Sequence, residues 1–380
     1  MSYSRRIAAS YLLYRGEMVK SPIVEVDSSG VILSIEFNPL VDSRSCTEFY
    51  SGVLIPGFVN AHTHLELSYM KGHITPNEGF ARFASSIHRL RASLGGDKEL
   101  IHSSIRRADI EMYNAGVAAV CDIANSADAL PTKESSPIEY HTFVEIFGLS
   151  LTQESPLPAL QGVASSYTPH SLYSLQDHTL RKIVDQSGDF PLSIHFMESE
   201  AEREFYHGKG DIYNLFVTKM GQHPDFLHHG SPAQRLVNII PANRKVILIH
   251  NTFVTEQDID LITSHFTTPP TWVLSPRSNR YITGAMPPID LLRSKALDIA
   301  LGTDSLASNS SLNPLHEISL LEDVPLQESL TWATQGGANA MGLAHLGQIE
   351  VGMRPSLNIL SGIDYNSWRL TPHSRVERIV

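Results

Sequence analysis

The sequence predicts an α/β protein: a (β/α)8 barrel of the TIM type, joined to a small β-sandwich domain assembled from both ends of the chain. Three observations predict it. From Gly52 onward, short apolar and β-branched runs alternate with longer helix-like segments, the pattern of βα units. Eight such runs occupy roughly 290 residues, the size of one barrel. Polar residues suited to chemistry close several runs at their downstream ends, where barrels gather their functional groups.

The runs are Val53 to His64, Gly116 to Ile123, His141 to Phe147, Ser165 to His170, Pro191 to Phe196, Lys245 to His250, Thr271 to Leu274 and Ala296 to Thr303. Candidate helices between them include Phe80 to Ala92, Lys98 to Asn114, Glu200 to Met220, Glu256 to His265, Pro288 to Lys295 and Leu326 to Gly342, with Gly, Pro, Ser or Asp at most joins. Val246-Ile247-Leu248-Ile249 is apolar throughout, which suits a parallel strand covered on both faces. A doubly wound open sheet is the alternative. The barrel is favoured because His62 and His64, His170, His195, His250 and Asp304 end different predicted strands. Short strand-like segments in residues 1–51 and 347–380 read as one small β domain, which leaves 52–346 as the barrel.

Composition narrows the function. With 29 basic against 40 acidic residues, the formal charge of −11 repels phosphate backbones, and Arg5-Arg6 and Arg106-Arg107 are too small to reverse that. Nucleic acid is excluded as a partner on that ground. No run approaches the roughly 18 apolar residues of a membrane span, and Met1 to Tyr14 reads as a strand instead of a signal peptide. Cys46 and Cys121 offer no disulfide framework, so a reducing cytoplasm is expected. Eighteen histidines against two cysteines mean that a transition metal, if held, takes imidazole and carboxylate ligands.

Gly57-Phe58-Val59-Asn60-Ala61-His62-Thr63-His64 ends in His-x-His, and residues two apart on a strand share a face. An isolated His-x-His is more often a surface pair. His195, His250 and Asp304 at three further strand ends change that balance, because five such groups on predicted strands 1, 5, 6 and 8 are hard to assign to chance.

These segments, with His195-Phe196-Met197-Glu198, Ser275-Pro276-Arg277-Ser278-Asn279, Leu301-Gly302-Thr303-Asp304-Ser305 and the return strand Gly347-Gln348-Ile349-Glu350-Val351-Gly352, resemble the amidohydrolase superfamily. The similarity is to its branch of cytosine, guanine and S-adenosylhomocysteine deaminases and triazine chlorohydrolases, and it spans nearly the whole chain. Two departures stand out: Pro355-Ser356 replaces the family's usual Ala-Asp, and Ser275 stands where several relatives carry cysteine. The resemblance implies that His62, His64, His195 and Asp304 bind one divalent metal, zinc first, although iron and manganese accept the same ligands. It implies that His250 approaches the attacking hydroxide. Strand 4 ends Tyr167-Thr168-Pro169-His170 without the lysine that holds a second metal in many members, so a single ion is expected, and Glu145 is read as a buried, hydrogen-bonded core residue.

Glu198, three residues beyond His195, is either a helix-start glutamate or the proton-moving carboxylate that deamination needs; its spacing and the resemblance favour the second. The resemblance then implies that Glu198 protonates the ring nitrogen and that Asp304 carries the second proton. Glu66, His170, Arg277 and Asn279 are candidate substrate contacts, with capping or loop bracing an equal reading for each. The sequence around His64-Leu65-Glu66-Leu67-Ser68 looks most similar to aminodeoxyfutalosine deaminases of an alternative menaquinone route. Such a substrate carries a benzoate, so Arg89, with Arg82 and Arg91 on the same predicted helix, becomes a candidate carboxylate contact. The expected partner is therefore a small aminated heterocycle or nucleoside; the resemblance adds only that homodimers are common in the family. Guanine, pterin or S-adenosylhomocysteine deamination, dechlorination, and a non-catalytic metal-binding homologue stand as alternatives.

Overall fold

A computed structural model describes residues 4–39, 47–152, 155, 157 and 166–380. Cys46 and Ser165, both named above, lie outside them. The chain opens with five strands, β1 (Ser4–Tyr14), β2 (Glu17–Lys20), β3 (Pro22–Asp27), β4 (Ile32–Phe37) and β5 (Glu48–Pro56). Next come eight strands, with helices among the described residues in each gap except that between β8 and β9: β6 (Phe58–Thr63), β7 (Val117–Ala124), β8 (Glu139–Ile146), β9 (Ser166–Pro169), β10 (Leu192–Phe196), β11 (Val246–His250), β12 (Thr271–Leu274) and β13 (Asp298–Leu301). Two strands, β14 (Leu357–Ser361) and β15 (Arg375–Arg378), close the chain.

β6 to β9 form one parallel sheet in sequence order and β10 to β13 another. Backbone bonds connect the two at both sides. The amide of His195 donates to His170 O at 2.9 Å, and the amides of Thr303 and Asp304 donate to His62 O at 3.0 and 3.1 Å. Alternation along the strands sorts their side chains. Leu192, Ile194, Val246, Leu248, Trp272 and Leu274 pack in the large core under the helices, whereas Ala61, Cys121, Phe143, Ile249, Val273 and Ala300 form a cluster fed by both sheets. β1 to β5 join β14 and β15 in a seven-stranded sheet of order β15-β14-β5-β1-β3-β4, with β2 on β1. No helix among the described residues is long and apolar enough to cross a membrane.

Three runs differ from expectation. Val53 to His64 is two strands, because Gly57 leaves the terminal sheet there: its amide donates to Pro355 O and Ser356 O, and a Cβ at this position would lie 2.5 Å from that of Ala118. The terminal sheet thus takes residues up to Pro56. The expected helix Glu200 to Met220 breaks after Tyr206, where Gly208 and Gly210 have φ of 69° and 87°, and resumes as Gly210–Tyr213 and a wide π-helical turn over Asn214–Lys219. Leu326 to Gly342 likewise contains a π-helical turn at Trp332–Gly336.

Gly302 meets His62 so closely that a Cβ there would lie 2.8 Å from the His62 Cβ and 3.0 Å from its backbone nitrogen and oxygen. Gly302→Val therefore has to push two strands apart, an overpacking that costs about 1–3 kcal/mol. The urea unfolding midpoint should fall accordingly; an unchanged midpoint would show that this approach is slack.

Candidate active site

Backbone geometry at the strand ends aims the polar residues. Met197, His250, Asn251 and Asp304 all have left-handed φ, between 48° and 76°. Non-glycine residues pay of order 1–3 kcal/mol each for such conformations, which concentrate at functional sites. The effect at His250 is concrete. Strict alternation would send it outward with Val246 and Leu248, but the reversal at φ 76° brings its imidazole to 5.8 Å from the His62 ring and 5.4 Å from the His195 ring.

His62, His64, His195 and Asp304 meet at one centre. His64 Nε2 lies 3.2 Å from His195 Nε2, and Asp304 Oδ1 lies 3.6 Å from His62 Nε2 and 3.7 Å from His64 Nε2. Ligands at about 2.0–2.1 Å from a tetrahedral ion stand roughly 3.3 Å apart, so these separations match a shared cation. The electrostatics agree. Burial, followed by the neighbouring imidazoles, holds His64 and His195 well below the usual imidazole range, so both rings are neutral. His195 Nδ1 donates to His170 O at 2.8 Å, which leaves its Nε2 with a lone pair facing His64. Both ring nitrogens of His62 are buried without a partner. Burial alone would push the Asp304 carboxyl up, but the nearby His62 and the surrounding imidazoles outweigh it and hold the group well below the carboxylate range. Asp304 Oδ2 accepts from Ser278 Oγ and Ser308 Oγ, each at 2.6 Å, which fixes the carboxylate with Oδ1 toward the histidines. Three imidazoles and one carboxylate form a donor set that fits a catalytic divalent metal.

Beside this centre, Glu198 Oε1 lies 3.5 Å from His250 Nε2. Burial, then the charges of Asp304 and Glu202, pushes the Glu198 carboxyl well above its usual range. Burial lowers His250 to about 4, so its ring is uncharged at neutral pH, while the shift at Glu198 favours the protonated form. Asn279 Oδ1 stands 2.7 Å from His250 Nδ1, which puts the ring hydrogen on Nδ1 and the lone pair on Nε2. Glu202, unassigned by the sequence reading beyond a helix first turn, accepts the amides of Met197 and Glu198 at 3.0 and 2.7 Å and holds that turn.

A cavity of about 500 Å³ opens over these groups. Phe80, Phe83, Phe147, Tyr173 and Phe216 supply much of its wall, and His170 lines it with its Nδ1 buried and unpartnered. The remaining predicted contacts lie elsewhere. Glu66 sits behind the wall, accepting the amides of Asn125 and Ser126, the Ser126 hydroxyl and Arg91 Nη2. Arg277 braces the loop after β13 through Asn309 Oδ1 and Ser310 Oγ, and Asn279 is occupied by His250. Arg89 is exposed, and Arg82 pairs with Glu78 on the surface. Of the three arginines on this helix, Arg91 is the one that lines the cavity. Helical spacing alone did not separate it from Arg89.

The profile of the amidohydrolase family matches residues 53–376. The chain belongs to the amidohydrolase family. Among relatives, this amidohydrolase is 26% identical over 414 aligned residues to a 5-methylthioadenosine/S-adenosylhomocysteine deaminase of Halobacterium salinarum, covering 100% of this chain and 88% of the other. Its backbone matches that of Helicobacter pylori aminofutalosine deaminase in complex with methylthio-coformycin, with a TM-score of 0.80, 22% identity and coverage of 99% and 100%. A zinc-bound adenosine deaminase from Xanthomonas campestris matches with a TM-score of 0.72, 22% identity and coverage of 97% and 87%. The fold of this amidohydrolase is therefore that of TIM-barrel-type hydrolases, and a divalent metal is typical of its family.

Two outcomes test the site. His195→Ala should abolish stoichiometric metal binding, while Ser278→Ala, which loosens only the support of Asp304, should weaken affinity about 10–100-fold; dialysis against a chelator followed by elemental analysis reads both. Glu317, buried beneath Arg277 and Asn309, has its carboxyl pushed by burial up to about 8 from 4.5. A group raised on folding contributes stability below its unfolded value and loses it as pH climbs through the folded one, so unfolding midpoints should drop between about pH 5 and pH 8. Glu317→Gln should flatten that slope, and an identical slope in both proteins would exclude this carboxyl as a source.

Proposed function

We propose that the protein is a metal-dependent deaminase that hydrolyses the exocyclic amine of a purine-like nucleoside and releases ammonia, with 6-aminodeoxyfutalosine among the nucleosides in scope. The observation that carries this reading is geometric: beside a metal-binding donor set, Glu198 Oε1 lies 3.5 Å from His250 Nε2, in buried surroundings that push its carboxyl well above the usual range. Amide hydrolysis needs an acid near the leaving nitrogen, whereas an aminated aromatic ring needs one at the ring nitrogen, set into an apolar cavity wall; Glu198 has that setting. We read the eight parallel strands as a closed (β/α)8 barrel spanning 52–346, supported by the side-chain cluster fed from both sheets, with the terminal segments 1–51 and 347–380 as the small β unit. A cytoplasmic setting agrees with the buried free thiol of Cys121.

His62, His64, His195 and Asp304 are the residues that would hold the ion, most simply zinc, which when bound lowers the pKa of water toward about 7. The remaining work falls to the chain itself. Glu198 gives its proton to the ring nitrogen next to the attacked carbon, so electron density moves onto that nitrogen instead of accumulating on carbon. His250, with its Nε2 lone pair held outward by Asn279, orients the attacking water. Asp304, kept ionised by two serine hydroxyls and its histidine neighbours, takes the water's proton and passes it to the departing amine. As the hydroxyl proton of the adduct passes back to Glu198, the ring gains a carbonyl oxygen and loses ammonia. The apolar walls keep bulk water from competing for these protons.

Ammonia release from adenosine, 5′-methylthioadenosine, 6-aminodeoxyfutalosine, guanine and a pterin, measured on metal-replete protein, tests the reading. Glu198→Gln should keep its metal and lose about 10²–10⁴ in turnover, the range of a positioned general acid. Near-normal turnover in that variant removes Glu198 from the mechanism, and chloride release without ammonia release would point to dechlorination.

A further inference from the structure

Glu145, at the end of β8, is unexplained by the chemistry above. It is 6% exposed, it lines the cavity, and its Oε1 is buried without a hydrogen-bond partner. An unsatisfied buried carboxylate oxygen is costly enough to call for a missing donor. Its other oxygen is deliberately fixed: Asn125 Nδ2 donates to Oε2 at 3.0 Å, Asn125 Oδ1 accepts from Arg91 Nη2 at 2.8 Å, and Arg91 is paired in turn with Glu66. This chain of four side chains fixes Oε2 and leaves Oε1, buried in the cavity wall, without a partner. His195 Nδ1, 3.6 Å from Oε1, already donates to His170 O. A carboxylate oxygen of Glu145 also lies within 4.8 Å of ring nitrogens of His64 and His195, so Glu145 stands at the edge of the metal-binding centre.

We propose that Glu145 is a specificity-determining residue that accepts a hydrogen bond from a sugar hydroxyl of the substrate, so that the site selects ribonucleosides over free bases and deoxynucleosides. This rests on the deaminase reading above. A carboxyl group is one that proteins commonly set against ribose hydroxyls, because its oxygens accept their hydrogens. A donor arriving with the substrate satisfies Oε1, and a substrate without that hydroxyl leaves it buried and unpaired, a mismatch that discriminates strongly.

The test pairs substrate deletion with side-chain change on the metal-loaded enzyme. Wild-type kcat/KM is compared for adenosine, 2′-deoxyadenosine, 3′-deoxyadenosine and adenine, then again in Glu145→Gln and Asn125→Ala. Wild type should disfavour at least one deoxynucleoside about tenfold or more, that ratio should collapse toward one in Glu145→Gln and shrink in Asn125→Ala, and metal content should stay constant. Equal turnover of adenosine and both deoxynucleosides by wild type overturns the assignment while leaving the deaminase reading intact. So does a ratio that survives Glu145→Gln, or a loss of metal in that variant, which would make Glu145 a ligand. If Glu145→Gln does not fold, the wild-type ratio and Asn125→Ala still decide. Ammonia release from none of the heterocycles defeats both readings together.

Discussion

Three imidazoles and a carboxylate, buried together with separations of 3.2 to 3.7 Å at their contacts, form a site suited to a positive charge. His64 Nε2 stands 3.2 Å from the His195 Nε2 lone pair, and burial keeps both rings uncharged. A divalent cation at this point would take both nitrogens as ligands. The surrounding architecture is organised around keeping those lone pairs pointed inward: a backbone carbonyl takes the far nitrogen of His195, and two serines hold the far oxygen of Asp304.

The same dry surroundings assign opposite duties to acids a few ångströms apart. Asp304 gains from its histidine neighbours more than it loses by burial and stays ionised, whereas Glu198, beside an uncharged His250 and the acids Asp304 and Glu202, is shifted toward its protonated form. Glu202 provides for this arrangement from below. By accepting two successive amides it fixes the left-handed Met197 and presents Glu198 over the cavity. Asn279 performs the corresponding service for His250, and so its value to the chemistry lies in the tautomer it selects.

Much of this was legible in the sequence because strand ends in a parallel βα protein have a fixed address. His62, His64, His195 and Asp304 could be grouped from four distant stretches by that rule, and the structure brings them within 3.7 Å of one another at the contacts described. What was not legible depends on geometry below the level of periodicity. The split at Gly57 required knowing that Pro355 and Ser356 come back against it. The roles of Arg277 and Glu66 turned on which loop carbonyls, amides and side chains surround them, and both proved to be fully engaged away from the cavity. Seven-residue spacing put Arg82 and Arg89 on one face, but that face looks outward, and Arg91 turns in. Glu145 sits in an ordinary strand pattern, and only the absence of a partner for one oxygen distinguishes it.

The junction at Gly57 has a further meaning for the molecule as a whole. Five residues separate the point where the terminal sheet lets go of the chain from the first imidazole of the centre, and the C-terminal return strand is stapled at that same point. The two ends of the polypeptide therefore act as a clasp on the strand that begins the catalytic half. A nascent chain would carry every one of these ligands before residues 355 and 356 arrive to close that clasp.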